Sequence, residues 1–269
     1  MDVVIVTGAS TGIGRQVCIK LLERQPLSVI AVARSSDALQ TLQQEAEATS
    51  AQAGHHGQLV PIAGDIANPL TRTSIITAAT NLGQLRALIN NAATVDPAGP
   101  LLAPSTAEWH SIWETNFHAP ISLISQCLHM LQQHKGPRVI LNITSSTSQQ
   151  PVPGFGPYGA TKASLNYVTR ALAVEYPDIT SIAFYPGVVD TPMNARAMDV
   201  ARECQEHAQK TGNHRVDMSR VIEKLKCPVS PDRVCSIMAS LALDADPELS
   251  GKYITFSDPE MDAYAGKTF

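Results

Sequence analysis

Short apolar runs alternate with amphipathic stretches along almost the whole chain. Seven of these runs have the length and composition of buried strands: residues 2–7, 27–33, 59–63, 85–90, 138–145, 179–185 and 251–256. The segments between them have the polar and apolar spacing of helices, among them 37–53, 69–82, 105–133, 158–175 and a stretch that ends at Leu243. Continuous apolar strands that alternate with helices are typical of a parallel sheet covered on both faces. The pattern therefore predicts an α/β fold with a doubly wound parallel sheet of about seven strands, in one domain over residues 1–269.

One segment interrupts this alternation. Residues 193–226 are polar and helical, without a strong core pattern. Insertions of this kind next to a binding cleft commonly act as lids or select the substrate. We therefore predict a substrate lid over about residues 191–228.

Composition and charge narrow the function classes. The chain has 269 residues and a formal net charge of -4, whereas a nucleic-acid partner would favour a basic patch. No apolar stretch approaches the length of a membrane span, and Met1 leads almost directly into the first strand, so we expect neither a membrane partner nor a signal peptide. The five cysteines form no Cys-x-x-Cys pair, which fits a reducing compartment, and we expect a cytoplasmic protein. The histidines show no metal-ligand spacing, so no metal is expected.

A glycine-rich turn follows the first strand. Thr7-Gly-Ala-Ser-Thr-Gly-Ile-Gly14 opens an amphipathic helix that reaches about Glu23. Glycines allow a ligand to approach the backbone closely, and the helix start presents free N–H groups to a pyrophosphate. The turn therefore predicts a dinucleotide site of the Rossmann type, for which the candidate residues are Gly8, Ser10, Thr11, Gly12, Ile13 and Gly14.

The ends of the second and third strands bear on the choice of cofactor. NAD-preferring sites usually place an acidic residue after the second strand, but this chain has Arg34 and Ser35 there. These side chains could hold a 2′-phosphate, so we predict NADP(H), with NAD(H) less favoured; the alternative is that Arg34 is a solvated loop residue. Arg15 is a second candidate phosphate partner. Asp65, followed by Ile66, could accept from an adenine amino group or simply cap the next segment.

Residues after the fourth strand and an asparagine in a later helix are further candidates for the site. Asn91 and Ala92 follow the fourth strand, where small residues and amides suit a cofactor wall. Asn116 falls inside the predicted helix 105–133 although asparagine is a poor helix former. It is either exposed on the surface or an amide that organises the chain.

A tyrosine, a lysine and a serine form the candidate catalytic group. Tyr158 and Lys162 are four residues apart in a predicted helix, which puts both on one face. The ammonium is expected to lower the pKa of the phenol from about 10. Ser145 ends the preceding strand, where its hydroxyl could hydrogen-bond a substrate oxygen. Such pairs are common on helix surfaces, but downstream of a dinucleotide site they predict an oxidoreductase.

Together these motifs resemble the short-chain dehydrogenase/reductase family of the single-domain type. The resemblance covers nearly the whole chain and rests on Thr7-Gly8-x-x-x-Gly12-x-Gly14, Asp65, Asn90-Asn91-Ala92, Asn116, Ser145, Tyr158 with Lys162, and Pro186-Gly187. It implies that Tyr158 is the general acid or base and that Ser145 positions the carbonyl. It also implies that Lys162 holds the nicotinamide ribose and lowers the tyrosine pKa, and that Asn116 supports a proton-relay water.

The resemblance has further consequences. Pro186, Gly187, Val189 and Thr191 are expected beside the nicotinamide. Relatives commonly pair the helices that carry Asn116 and Tyr158, which implies a homodimer or homotetramer.

Two positions depart from the family pattern. Ala93 replaces the usual glycine of Asn-Asn-Ala-Gly, and Thr11 stands where many NADP-preferring members have a basic residue, so the cofactor prediction rests mainly on Arg34.

The segments Gly8–Arg15, Val32–Ser35, Pro186–Thr191 and Ser250–Tyr253 are similar to the sepiapterin reductase-like branch, which includes fungal benzil reductases acting on vicinal dicarbonyls. The implied activity is NADPH-dependent reduction of a small-molecule ketone or dicarbonyl. The alternatives are an NAD(P)+-dependent secondary-alcohol dehydrogenase and a non-catalytic dinucleotide sensor.

Overall fold

Seven parallel strands form one sheet in the order β3-β2-β1-β4-β5-β6-β7. A computed structural model describes residues 1–213 and 215–266 of the chain. The strands are β1 (Asp2–Thr7), β2 (Ser28–Ala33), β3 (Gln58–Ala63), β4 (Gln84–Asn90), β5 (Val139–Ile143), β6 (Thr180–Tyr185) and β7 (Tyr253–Thr255). The strand order reverses between β1 and β4, which is where doubly wound sheets bind their ligands. The predicted Rossmann-type fold is confirmed.

Helices connect the strands and cover both faces of the sheet. They are α1 (Gly12–Arg24), α2 (Ser36–Gln52), α3 (Pro69–Leu82), α4 (Thr106–Trp113), α5 (Ala119–Gln133), α6 (Gly156–Glu175), α7 (Pro192–Thr211), α8 (Ser219–Lys226), α9 (Pro231–Asp244) and α10 (Asp262–Ala265). None of the helices in the described ranges is both long enough and apolar enough to cross a bilayer.

The sheet separates two apolar cores. Side chains alternate along each strand, so β1 sends Val4 and Val6 to one face and Val3 and Ile5 to the other. On the first face they pack with α1 and α9, and on the second with α3 and α5. Burial on both faces explains why the strands are continuous apolar runs.

A third apolar cluster lies at the carboxyl edge of the sheet. Val200 and Ala201 of α7 and Met218, just before α8, are fully buried there against residues that include Phe155 and Tyr158. The polar segment 193–226 therefore has a buried face that the sequence pattern did not reveal. His214 within it lies outside the described residues.

Three predicted elements differ from the structure. The single helix predicted over 105–133 is divided by a π-helical turn, Glu114–His118, between α4 and α5. The strand predicted to reach Ser145 ends at Ile143, because Ser145 begins a short 3-10 turn over Ser146–Ser148. The last strand has three residues instead of the predicted six.

Candidate active site

A cleft of about 940 Å³ opens at the carboxyl ends of the strands, beneath α7 and α8. Most of the residues predicted for the site line it: Gly8, Ser10, Thr11, Gly12, Ile13, Arg34, Asp65, Ile66, Asn91, Ala92, Ser145, Tyr158, Lys162, Pro186, Gly187, Val189 and Thr191. Gly14, Ser35 and Asn116 are not part of this lining. The fold therefore assembles one site from residues spread over most of the chain.

The glycine-rich turn leaves the start of α1 open toward the cleft. Thr11 precedes the helix without a side-chain cap, and the first turn carries no acidic residue. Gly8 and Gly12 have φ of 68° and 53°, in the left-handed region that favours glycine. A Cβ on Gly8 would come within 2.8 Å of the Ala92 Cα. Free N–H groups next to glycines, where a ligand can approach the backbone closely, suit a pyrophosphate.

A hydrogen-bond network joins the ends of β1 and β4. The Thr7 hydroxyl accepts from the N–H groups of Asn91 and Ala92, both at 3.0 Å. The Asn91 side chain donates in turn to the carbonyls of Thr7 and Gly8, at 2.9 and 3.1 Å. Gly14 lies against this network, since a Cβ there would meet the Gly8 carbonyl and approach Asn91 Nδ2 to 2.6 Å. Its contribution is to pack the turn rather than to line the cleft.

The ends of β2 and β3 give mixed support to the cofactor prediction. Arg34 is exposed at the cleft and has no ion-pair partner in the described part of the chain. Ser35 instead caps α2, accepting from the Ala38 N–H at 3.3 Å. Arg15 forms an ion pair with Glu45, so its prediction as a second phosphate partner is not supported.

Asp65 lines the cleft and also performs the structural task that was its alternative. Its Oδ1 accepts from the Ala67 N–H at 2.9 Å, which holds the turn after β3. Arg72 supports the same turn by donating to the carbonyls of Ile66 and Ala67, at 2.6 and 3.0 Å. The turn after β3, which forms this wall of the cleft, is therefore held in place by hydrogen bonds with residues outside the cleft.

Tyr158 and Ser145 face each other at the inner end of the cleft. Tyr158 is 9% exposed, and burial raises the pKa of its phenol to about 12, against a smaller lowering by a hydrogen bond with Ser145. The Ser145 hydroxyl is held by Thr147, whose Oγ1 donates to it at 2.9 Å and whose N–H does so at 3.2 Å. The phenol is thus kept protonated at neutral pH and is aimed at a fixed hydroxyl.

Lys162 does not perturb Tyr158 as the sequence predicted. Its ammonium donates to the Ile143 carbonyl at 2.7 Å and lies 5.7 Å from the centroid of the Tyr158 ring. The side chain is 2% exposed, and burial lowers the pKa of Lys162 to about 8. The expected lowering of the tyrosine pKa is therefore absent from this arrangement, because desolvation of the phenol is the larger effect.

Asn116 is fully buried behind the cleft wall. The π-helical turn directs its amide to the backbone of Thr94, from whose N–H it accepts at 2.9 Å and to whose carbonyl it donates at 2.8 Å. A further bond joins it to the Thr161 hydroxyl at 3.3 Å. The amide therefore ties the loop after β4 to α6, which supports the interpretation as a chain-organising residue. Its part in a proton relay stays a prediction.

The segment after β6 connects the sheet to α7 and α8, the helices of the predicted lid. Thr191 caps α7 by accepting from the Asn194 N–H at 3.2 Å. The Asn194 side chain donates to the Leu225 carbonyl at 3.2 Å, which fastens α7 to the end of α8. A Cβ on Gly12 would come within 2.8 Å of Thr191 Cγ2, so the lid begins directly against the start of α1.

Sequence reasoning missed the residues that the lid contributes to the cleft. Arg220, Val221, Lys224 and Leu225 all line it from α8. Lys224 Nζ lies 5.5 Å from the centroid of the Tyr185 ring, at the end of β6. Arg220 and Lys224 are four residues apart, as are Val221 and Leu225. This spacing was visible in the sequence and indicates that the four side chains share one face of a helix.

The family of the chain follows from comparison with known proteins. The family model described as short chain dehydrogenase matches residues 2–201. The chain therefore belongs to this family of NAD(P)-dependent oxidoreductases.

Known relatives are similar to the chain over nearly its full length. A benzil reductase ((S)-benzoin forming) of Saccharomyces cerevisiae is 26% identical, over 98% of this chain and 99% of the relative. A sepiapterin reductase of Bos taurus is 28% identical, over 94% of each. Among solved structures, the KRED1-Pglu enzyme superimposes with a TM-score of 0.81 at 29% identity, covering 94% of this chain and 100% of the other. The resemblance to the sepiapterin and benzil reductase branch is confirmed.

Proposed function

We propose that the protein is an NADPH-dependent carbonyl reductase that acts on a ketone or vicinal dicarbonyl. The observation that carries this proposal is the protonated, buried Tyr158 phenol bonded to Ser145, at the inner end of a cleft that begins at an uncapped helix start. The names of the yeast and bovine relatives support the same chemistry.

The residues of the cleft fit a dinucleotide phosphate. The open start of α1 would hold the pyrophosphate, since its N–H groups lack a side-chain cap and its turn is lined by glycines. Arg34, which has no ion-pair partner among the described residues, would hold a 2′-phosphate. Asn91 and Ala92 would form the wall beside the ribose and nicotinamide.

Tyr158 and Ser145 would act on the carbonyl oxygen of the substrate. NADPH, when bound, supplies the hydride to the carbonyl carbon. Tyr158 would give its phenolic proton to the carbonyl oxygen as negative charge develops there, and Ser145 would donate a hydrogen bond to the same oxygen. The products are then an alcohol and NADP+. Lys162, one helical turn from Tyr158, would hold the nicotinamide ribose.

The pKa of Tyr158 favours reduction over oxidation of an alcohol. A secondary-alcohol dehydrogenase needs a base that is free to accept a proton, whereas burial raises the pKa of this phenol to about 12 and so favours its protonated form. The same side chain can serve both directions, so this is a preference near neutral pH rather than a block.

The substitution Tyr158→Phe tests the proposal. It removes the proton donor but keeps the ring, so we expect NADPH binding to persist while kcat on a diketone falls by about 10²- to 10⁴-fold. Tyr167→Phe is the control, because Tyr167 is on the same helix but 67% exposed. Full activity in Tyr158→Phe would rule out the proposed role. Tight NADPH binding by the unmodified protein without turnover of any carbonyl would favour the dinucleotide sensor instead.

A further inference from the structure

Two cations of the lid project into the cleft from one face of a helix. Arg220 and Lys224 are four residues apart in α8, and both line the cleft with their neighbours Val221 and Leu225. Lys226 of the same helix lies outside the lining and is paired with Glu223 at 3.1 Å. Helical spacing therefore divides α8 into a face turned to the cleft and a face turned to solvent.

The two cleft cations, Arg220 and Lys224, have no ion-pair partner among the described residues. Arg220 contributes to a lowered pKa at Asp217, but that carboxylate accepts its hydrogen bonds from Ser219.

The acids that line the cleft are already engaged by other groups. Asp96 pairs with Arg196 at 3.0 Å, and Glu108 accepts from the Ser105 N–H and hydroxyl, at 2.8 and 2.7 Å. Asp65 holds the Ala67 N–H. Because the protein as a whole has a net charge of -4, uncompensated positive charge on the lid face of its cleft is a local feature.

The position of Lys224 is close to the reacting end of the cleft. Its ammonium lies 5.5 Å from the centroid of the Tyr185 ring. Tyr185 ends β6, which pairs with β5, and the end of β5 leads into Ser145. The phosphate-binding candidates, by contrast, are the start of α1 and Arg34, at the ends of β1 and β2.

We propose that Arg220 and Lys224 form a subsite for a carboxylate carried by the carbonyl substrate. This proposal rests on the proposed function for the carbonyl itself. The apolar residues around the subsite define the rest of the molecule, which would have an apolar or aromatic body: Val95, Val152, Phe155, Met193, Val221 and Leu225. The substrate class is therefore an oxo acid, in which the anion contacts the lid while the carbonyl meets Tyr158 and Ser145.

Matched pairs of substrates test this assignment. Phenylglyoxylate and 3-benzoylpropanoate are each compared with their methyl esters, so that charge is the main difference within a pair. We expect kcat/KM to favour at least one acid over its ester by about fivefold to tenfold, because a partly exposed ion pair contributes modestly. The preference should shrink as ionic strength rises.

Four variants locate the effect. Lys224→Gln and Arg220→Gln should each reduce the ratio of acid to ester, and Lys224→Arg should restore most of it. Lys226→Gln removes a cation from the other face of α8 and should leave the ratio unchanged. Failure of the unmodified protein to prefer either acid over its ester would overturn the proposal. So would a loss in the Gln variants that is equal for acid and ester and appears as a higher KM for NADPH, because it would assign the cations to the cofactor.

Calorimetric binding separates this proposal from the proposed function. Phenylglyoxylate and 3-benzoylpropanoate are titrated into the protein saturated with NADP+, where no reduction takes place. Binding that weakens in Lys224→Gln and Arg220→Gln but not in Lys226→Gln would support the anion subsite even if no carbonyl is reduced. Turnover of neutral diketones together with charge-independent binding would uphold the reductase and overturn the subsite.

Discussion

At the scale of single residues, the buried ammonium of Lys162 carries a charge whose burial costs free energy. Burial lowers its pKa from 10.5 to about 8, while the ammonium is held by one carbonyl, that of Ile143. The folded protein therefore binds this proton less tightly than the unfolded chain. Such a cost is tolerated where the charge serves a purpose, and the proposed purpose here is a hydrogen bond to the nicotinamide ribose.

This cost predicts a pH dependence of stability. The penalty for burying the charge is fully present below about pH 8 and is relieved as the pH rises toward 10.5. The free energy of unfolding should rise over that window by on the order of 3 kcal/mol relative to Lys162→Met, which lacks the titrating group. Urea unfolding of both proteins at several pH values measures the difference. Tyr158 titrates in both and cancels, and parallel pH profiles would contradict the expectation.

At the same scale, the proposed preference for NADPH rests on Arg34. Arg34→Leu removes the cation expected to hold the 2′-phosphate, so the KM for NADPH should rise by about tenfold to a hundredfold while that for NADH changes little. Initial rates with each cofactor measure this. Arg233→Leu is the control, because Arg233 pairs with Asp262 and does not line the cleft. No loss with either cofactor would mean that Arg34 is a solvated loop residue, and equal losses with both would mean that it does not hold the 2′-phosphate.

At the scale of elements, the glycine-rich turn is the one whose sequence leaves least freedom. Gly14→Ala would place a methyl group against the Gly8 carbonyl and Asn91 Nδ2. We expect weaker cofactor binding and a lower melting temperature, because the β1–β4 network must move. Gly266→Ala is the control, since a Cβ there meets nothing within 4 Å. Calorimetry and NADPH titration of both variants measure the effect, and an unchanged Gly14→Ala would show that the turn relaxes easily.

The fold could be predicted from the sequence, but the π-helical turn and the lowered pKa of Lys162 could not. Continuous apolar strands and the turn from Thr7 to Gly14 are local patterns, so the fold and the glycine-rich part of the cleft followed from them. The π-helical turn at Asn116 was missed because the amide bonds to Thr94, far from the helix register that periodicity detects. The lowered pKa of Lys162 was missed because it comes from burial in the folded protein, which the local sequence does not show.

At the scale of the whole molecule, the pairing of α5 and α6 with a second copy stays a prediction. On α6, Tyr167 and Val174 are 67% and 80% exposed, and large side chains of this kind suit an interface. The cleft lies at the strand ends, so such pairing would leave it open to substrate.

The third apolar cluster lies between the predicted lid, formed by α7 and α8, and the cleft wall. It joins α7 and α8 to the cleft wall through Val200, Ala201 and Met218, whereas the two larger cores belong to the sheet itself. Units with fewer buried apolar contacts open locally at lower free energy than the core. The lid is therefore expected to open without unfolding of the sheet.

Met218→Ala tests this division. Removing a fully buried side chain costs about 2–5 kcal/mol, and we expect that loss to appear mainly as faster amide hydrogen exchange over residues 192–226 and as a higher KM for substrate. The matched variant Met238→Ala empties a similar volume beneath the sheet and should instead lower the melting temperature of the whole domain. Exchange that accelerates uniformly in both variants would show that lid and sheet unfold as one unit, and selection of substrate by the lid would then have to operate without a separate opening step.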